Sequence, residues 1–179
     1  MREIDFGKLD VLVLDVDGVL TDGKIILTPA GDEIKEFNVR DGSGMKYWQR
    51  AGGKIALLSG RGSPAILRRA EELGVDAVRL NARHKLPVLE EILRELDVTG
   101  DRVVAIGDDL PDIPVLRRSA FAVAVADAVE EVRELADHVT SARGGRGAVR
   151  EVIELVLRRN GKWEQVLARY FPAAQERPA

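Results

Sequence analysis

Unbroken aliphatic runs alternate with amphipathic stretches along this chain. Val11–Leu14 is four apolar residues in a row, and Lys54–Leu58 and residues 103–106 repeat the pattern. Such runs read as strands buried on both faces, as a parallel sheet requires. Residues 77–80, 121–125 and 138–140 add further strands. Helical spacings fall between them. Ser63 before Pro64 is an N-cap with proline at the first helical position, and Gly74 ends that helix after Leu73. Leu86, Leu89, Ile92, Leu93 and Leu96 recur every three or four residues, one helix face over 86–96. Residues 44–50, stopped by Gly52 and Gly53, and residues 149–157 give two more helices, and 162–170 a last helical segment. Residues 24–28 and 33–39 flank Pro29-Ala30-Gly31-Asp32 as strand, turn and strand, a hairpin. The order predicts an α/β fold, a parallel sheet flanked by helices, in one domain over 1–171 with the hairpin inserted at 24–39. Residues 172–179 read as a loose tail.

The first aliphatic run ends abruptly in Asp15-Val16-Asp17-Gly18. Ligands bind at the carboxyl edge of an open α/β sheet. Two acids there repel each other and lose solvation unless a cation or a shared proton relieves them. A turn using Asp and Gly for backbone reasons is the plainer reading, but one aspartate would satisfy it. The run at 103–106 also ends in carboxylates, Asp108 and Asp109, with Asp112 close behind. Acids at a helix N-terminus complement its dipole, which accounts for Asp112 better than for all three.

Composition narrows the classes. Basic residues number 27 and acidic ones 30, a net charge of −3, which argues against an electrostatic nucleic-acid binder. The absence of cysteine excludes a disulfide framework and thiol catalysis. With only His84 and His138, a histidine-rich metal site or a serine–histidine triad is a poor fit. No apolar run approaches the ~20 residues needed to span a bilayer. Met1-Arg2-Glu3-Ile4-Asp5 is too charged for a signal peptide, so the expectation is a cytoplasmic protein with no membrane or nucleic-acid partner.

The stretch from Asp15 to Gly23 resembles the first motif of the haloacid dehalogenase superfamily of aspartate-nucleophile phosphatases. Three further motifs follow in order: Leu57-Leu58-Ser59-Gly60-Arg61, a strand ending in a hydroxyl; Lys85, opening a helix; and the run from Val103 to Asp112. The resemblance implies a Rossmann-like core with Asp15 as a nucleophile that forms an aspartyl-phosphate. It implies Asp17 as general acid and base, with Ser59 and Lys85 meeting the phosphoryl group. Dehalogenases of the superfamily lack the second aspartate, so Asp17 favours phosphate chemistry. It also implies Mg²⁺ held by Asp15, the backbone carbonyl of Asp17 and Asp108, with Asp109 and Asp112 supporting those ligands directly or through water. Residues 22–53 and 59–85 leave no room for the cap domain that many members carry. The expectation is a capless member whose site a neighbouring subunit helps to shield.

Phe37-Asn38-Val39-Arg40-Asp41-Gly42-Ser43-Gly44, the segment 119–127, and Gly144-Gly145-Arg146-Gly147-Ala148-Val149-Arg150-Glu151 are similar to the 3-deoxy-D-manno-octulosonate 8-phosphate phosphatases. This narrower resemblance runs from about Leu9 to about Lys162. It implies hydrolysis of a phosphorylated sugar acid by a homotetramer. The positions it marks for substrate are Thr21, Arg40, Asp41, Gly42, Gly60, Arg61, Arg69 and Arg146. Arginine suits a substrate bearing both carboxylate and phosphate. The Gly144–Gly147 segment could offer backbone N–H groups to an anion, or be a plain loop before a helix. Gly62 and Pro64 stand where the family often has lysines, and Leu80-Asn81 where it often has Gln-Gly. A nine-carbon ulosonate 9-phosphate therefore stays open as the substrate, and so does a non-catalytic module that keeps the fold for oligomerisation.

The hairpin bears on assembly. Successive strand residues face opposite ways, so Ile25 and Leu27 share one face and Ile26 the other. A lone hairpin apolar on both faces is unstable in water. One face is expected to cover the parent domain and the other a neighbouring subunit.

Overall fold

The computed structural model describes residues 3–171. Residues 172–179, expected as a tail, lie outside the described residues. Strands β1 (Val11–Leu14), β4 (Lys54–Leu58), β5 (Ala77–Arg79), β6 (Val103–Gly107), β7 (Phe121–Ala124) and β8 (His138–Val139) form one six-stranded sheet in the order β5-β4-β1-β6-β7-β8. Every pairing in it is parallel. β1 lies at the centre, with Leu14 opposite Leu57 on one side and Ile106 on the other. All four of its residues are buried, which is why its sequence shows no alternation.

The helices are α1 (Val39–Arg50), α2 (Pro64–Leu73), α3 (Lys85–Glu95), α4 (Ile113–Arg118), α5 (Glu130–Leu135), α6 (Ala148–Arg159) and α7 (Trp163–Ala168). Ser63 accepts the Ala65 N–H at the start of α2, and Gly74 closes it in the left-handed conformation. Most ends lie within one or two residues of the sequence expectation, the usual fraying of boundaries. Among the described residues no helix is long and apolar enough to cross a membrane.

Two expectations need correction. The hairpin strands are only β2 (Ile26–Leu27) and β3 (Glu33–Ile34), and α1 begins at Val39 rather than Gly44. Asn38 causes this: its side chain accepts the Arg40 N–H and caps the helix there. The hairpin faces also differ. Ile25, Ile26, Leu27 and Ile34 are all exposed, Leu27 by 63% and Ile34 by 51%. What turns inward is charge, Glu33 and Lys35. Of the large apolar residues in 24–39, Phe37 packs against the core, while Ile25, Ile26, Leu27, Ile34 and Val39 do not.

Candidate active site

The carboxyl ends of β1, β4 and β6 converge on one place. Asp15 follows β1 directly, and its N–H still donates to Ile106 O (3.2 Å). Ser59 follows β4, and Asp108 follows β6. Lys85 opens α3 and sends its Nζ back to Asp15 Oδ1 (2.8 Å) and Asp112 Oδ1 (2.6 Å). All three side chains are nearly buried.

Asp112 serves two ends. While Oδ1 meets Lys85, Oδ2 accepts the N–H groups of Asp108 (3.0 Å) and Asp109 (3.3 Å). Asp109 and Asp112 cap the turn between β6 and α4 reciprocally. Asp112 thus holds Lys85 and the Asp108 loop together. Ser59 is buried, and its Oγ accepts the Arg61 N–H (3.1 Å), leaving the hydroxyl hydrogen to donate elsewhere.

The electrostatics are strained. Burial, and next the charge of Asp112, push Asp15 up to about 6 although Lys85 pulls the other way. Burial, with the charges of Asp15, Asp112 and Asp109, pushes Asp108 up to about 8. Burial opposes the Lys85 ammonium, yet Asp15 and Asp112 outweigh it and raise its pKa above the usual lysine value. One lysine does not neutralise this many carboxylates.

A cation would. Asp15, Asp108 and Asp112 each bring an oxygen within 4.8 Å of the others. Asp112 is engaged on both oxygens, which leaves Asp15 and Asp108 to grip an ion. Asp108 Oδ1 and Asp17 Oδ2 are buried with no hydrogen-bond partner among the described residues. Buried acceptors left unpaired call for a partner; for Asp108, beside the oxygens of Asp15, a hard ion such as Mg²⁺ suits, while Asp17 Oδ2 stays free for a partner of another kind. Gly18 makes the space. A Cβ there would lie 2.1 Å from Asp108 Oδ2, and its φ of +94° is itself a glycine conformation.

The positions marked for substrate fall into two groups. Arg61 and Arg146 border the site. Arg61 pairs with Glu33 (3.1 Å) and sets Nε 3.9 Å from Asp17 Oδ2. Arg146 bridges Asp22 and Glu36, both at 3.3 Å. Gly60 is exposed beside Ser59. The others have structural employment. Thr21 Oγ1 is buried, donates to Val16 O and accepts from Gly18 and Gly23, knotting the loop after β1. Asp41, expected to face substrate, is buried beneath α6 and accepts the N–H groups of Gly147 (3.2 Å) and Arg150 (2.8 Å). Burial raises its pKa despite those bonds. Arg69 pairs with Glu72 and lies over the Phe37 ring; Gly42 leaves room for it. Arg40 is exposed on α1.

The Gly144–Gly147 segment also needs correction. Its N–H groups are all taken, by Asp127 Oδ1, Val19 O, Arg143 O and Asp41 Oδ2 in turn. It offers no N–H to an anion. Its glycines instead let two backbones touch, since a Cβ on Gly144 would lie 1.7 Å from Gly18 O. Gly62 and Asn81, two departures from the resembled pattern, pack together: a Cβ on Gly62 would lie 2.7 Å from the Asn81 amide nitrogen.

Sequence reading missed Lys35. Its side chain is only 1% exposed, and its ammonium pairs with Asp17 Oδ1 and Glu33 Oε1. The one local signal was the alternation Glu33-Ile34-Lys35, charge facing in and isoleucine out.

Comparison with known proteins agrees with this geometry. Residues 80–153 match the haloacid dehalogenase-like hydrolase family. The 3-deoxy-D-manno-octulosonate 8-phosphate phosphatase KdsC of Haemophilus influenzae is 40% identical over 155 residues, 87% of this chain and 86% of that protein. A probable phosphatase of the YrbI family from Pseudomonas syringae superposes with a TM-score of 0.91 at 41% identity, covering 94% of this chain and 96% of that one. The 3-deoxy-D-manno-octulosonate 8-phosphate phosphatase of Moraxella catarrhalis, solved with magnesium, phosphate and KDO, superposes with a TM-score of 0.89 at 35% identity, covering 92% and 95%.

Proposed function

The chain belongs to the haloacid dehalogenase-like hydrolases and, within them, to the 3-deoxy-D-manno-octulosonate 8-phosphate phosphatase family, and from that premise we propose its reaction and the part each residue plays. It is a Mg²⁺-dependent phosphoric monoester hydrolase that converts 3-deoxy-D-manno-octulosonate 8-phosphate to the free sugar acid and phosphate. The observation that carries the mechanism is the Asp15–Lys85–Asp112 chain beside the unsatisfied Asp108 oxygen.

Asp15 attacks phosphorus in line and becomes the aspartyl-phosphate. Lys85 holds the attacking carboxylate and lies beside the phosphoryl oxygens. Ser59 donates its hydroxyl to the same group. Asp17 protonates the departing sugar oxygen, then takes a proton from the water that hydrolyses the intermediate. Asp15, Asp108 and the Asp17 carbonyl would hold Mg²⁺, whose charge would then offset that of the phosphoryl oxygens. Arg61, beside Asp17, and Arg146, paired with Asp22 of the loop after β1, are the cations assigned to the substrate carboxylate.

The functional unit is a homotetramer in the cytoplasm, each chain a single domain through residue 171. Exposed Ile25, Ile26, Leu27 and Ile34 support the assembly, because such a patch marks an interaction surface. A chain without cysteine fits a reducing compartment. The departures at Gly62 and Asn81 from the resembled pattern keep one second reading, a nine-carbon ulosonate 9-phosphate in the same site.

The test is phosphate release from the eight-carbon ester, a nine-carbon ulosonate 9-phosphate and a neutral hexose phosphate. Wild type with Mg²⁺ is expected to prefer the eight-carbon acid in kcat/KM, and Asp15→Asn to release none. Equal kcat/KM for the hexose phosphate would remove the sugar-acid assignment.

A further inference from the structure

Asp17 carries the leaving-group proton in the mechanism above, and its two oxygens have unlike surroundings. Oδ1 accepts from Lys35 Nζ. Oδ2 is buried without a hydrogen-bond partner among the described residues; its nearest cation, Arg61 Nε, is 3.9 Å away. A carboxylate with one oxygen anchored cannot spin about its last torsion, so the other keeps a fixed direction. We propose that Lys35 is a positioning residue that pins Oδ1 of Asp17 so that Oδ2 is the oxygen that exchanges the proton with the leaving group. The proposal rests on the assignment of Asp17 as general acid and base.

The surroundings of Lys35 fit that role. Its side chain is only 1% exposed, so it has almost no surface to give a substrate. Glu33, two residues earlier, accepts from it at 3.2 Å and also from Arg61 Nη2 at 3.1 Å. Charged residues on the inner face of the hairpin thus converge on the acid–base group of the core. Arg61 is half exposed and can turn outward to an incoming anion, whereas Lys35 cannot leave without stranding the partly buried carboxylates of Asp17 and Glu33. Ile34, between the two charged residues, faces away and is exposed. Whatever holds the hairpin therefore also holds Lys35.

The experiment exploits leaving-group chemistry. An alkyl ester such as a sugar phosphate needs a proton on its departing oxygen, while 4-nitrophenyl phosphate leaves as a stable phenolate with little help. General acid–base assistance is worth ~10²–10⁴-fold, so losing its alignment should remove about 10–100-fold on the alkyl ester. Lys35→Met keeps the length and removes the charge. The expected result is that kcat/KM falls by that factor on the sugar phosphate and by less than about threefold on the aryl ester, with inhibition by inorganic phosphate unchanged. Unchanged phosphate inhibition shows that Lys35→Met is folded, and Glu33→Gln, which leaves the Lys35–Asp17 contact in place, should lose less on the sugar phosphate than Lys35→Met does. Equal losses on both esters, or weakened phosphate inhibition, would make Lys35 a structural or binding group and overturn the proposal. Asp17→Asn separates the two layers. Read in kcat/KM, which ends at departure of the leaving group and so leaves out the hydrolysis step common to both esters, equal losses for Asp17→Asn would mean that the acid–base assignment has failed, and the proposal with it; if Asp17→Asn discriminates and Lys35→Met does not, only the proposal has failed.

Discussion

Lys85 Nζ lies closer to Asp112 Oδ1, at 2.6 Å, than to Asp15 Oδ1, at 2.8 Å. The lysine is shared between the carboxylate proposed as nucleophile and one to which the proposal gives no chemical step. Asp112 is the fixed end, because the backbone of Asp108 and Asp109 holds its other oxygen. Asp112→Ala breaks a buried pair and orphans two N–H groups, and should cost about 3–5 kcal/mol. Asp112→Asn keeps an acceptor and should cost less. Urea unfolding measures both, and a wild-type midpoint for Asp112→Ala would deny the residue this role.

The raised carboxylates predict how pH acts on the metal-free protein. Asp15 at about 6 and Asp108 at about 8 stand above their ordinary 3.8, so the folded state binds more protons than the unfolded chain between roughly pH 4 and 8. Their contribution to stability is present at the acidic end and is lost as pH rises through that window. Cation binding needs both ionised, so the rise in Tm on adding Mg²⁺ should grow from pH 6 to pH 8. In chelator, Asp108→Asn should flatten the pH dependence of Tm relative to wild type. Identical curves for the two would contradict the cause given for the shift.

Gly144 and Gly161 make a matched pair. A Cβ on Gly144 meets Gly18 O at 1.7 Å, backbone against backbone, whereas Gly161, at φ +74°, has nothing within 4 Å. Gly144→Ala must push the loop after β1 aside. It should cost about 1–3 kcal/mol or more and most of the activity. Gly161→Ala should cost only the left-handed strain, about 1–2 kcal/mol, with turnover unchanged. Thermal unfolding and a turnover assay on each would show it, and equal activity in the two would sink the loop contact as a requirement.

The outer hairpin face predicts the assembly. A charge at Leu27 or Ile34 meets water in the isolated chain and leaves its fold intact, since both are exposed. In a homotetramer joined there it would be buried. Leu27→Glu with Ile34→Glu should therefore give smaller particles by light scattering, with unchanged circular dichroism. A wild type that scatters as a fully active monomer would end the proposal.

The sheet and the cluster around Asp15 were legible because their signals are local. Asp15 and Asp108 each end an unbroken aliphatic run, and a parallel sheet brings the ends of its central strands together. Lys85 needed the resemblance, since a lysine opening a helix looks like any surface lysine. α4 and α5, six residues each, escaped because so short a helix shows too little periodicity. Asp41 was misplaced for a different reason. Its partners, Gly147 and Arg150, lie 106 and 109 residues away, and no local pattern announces a cap supplied from that distance. Lys35 was hidden the same way, its meaning set by Asp17 across the hairpin.

The loop after β1 is held at Val19 O by the N–H of Gly145, and α1 is tied by Asp41 to the start of α6. A ribosome delivers these parts in order, Asp15 first and its clamps last. At roughly 5–20 residues per second, Asp15 waits on the order of ten seconds for the segment that secures its loop. For most of its own translation the chain therefore carries its first-motif aspartates on a loop that nothing yet holds at Val19. The glycine segment that closes on it is among the last parts of the site to be made.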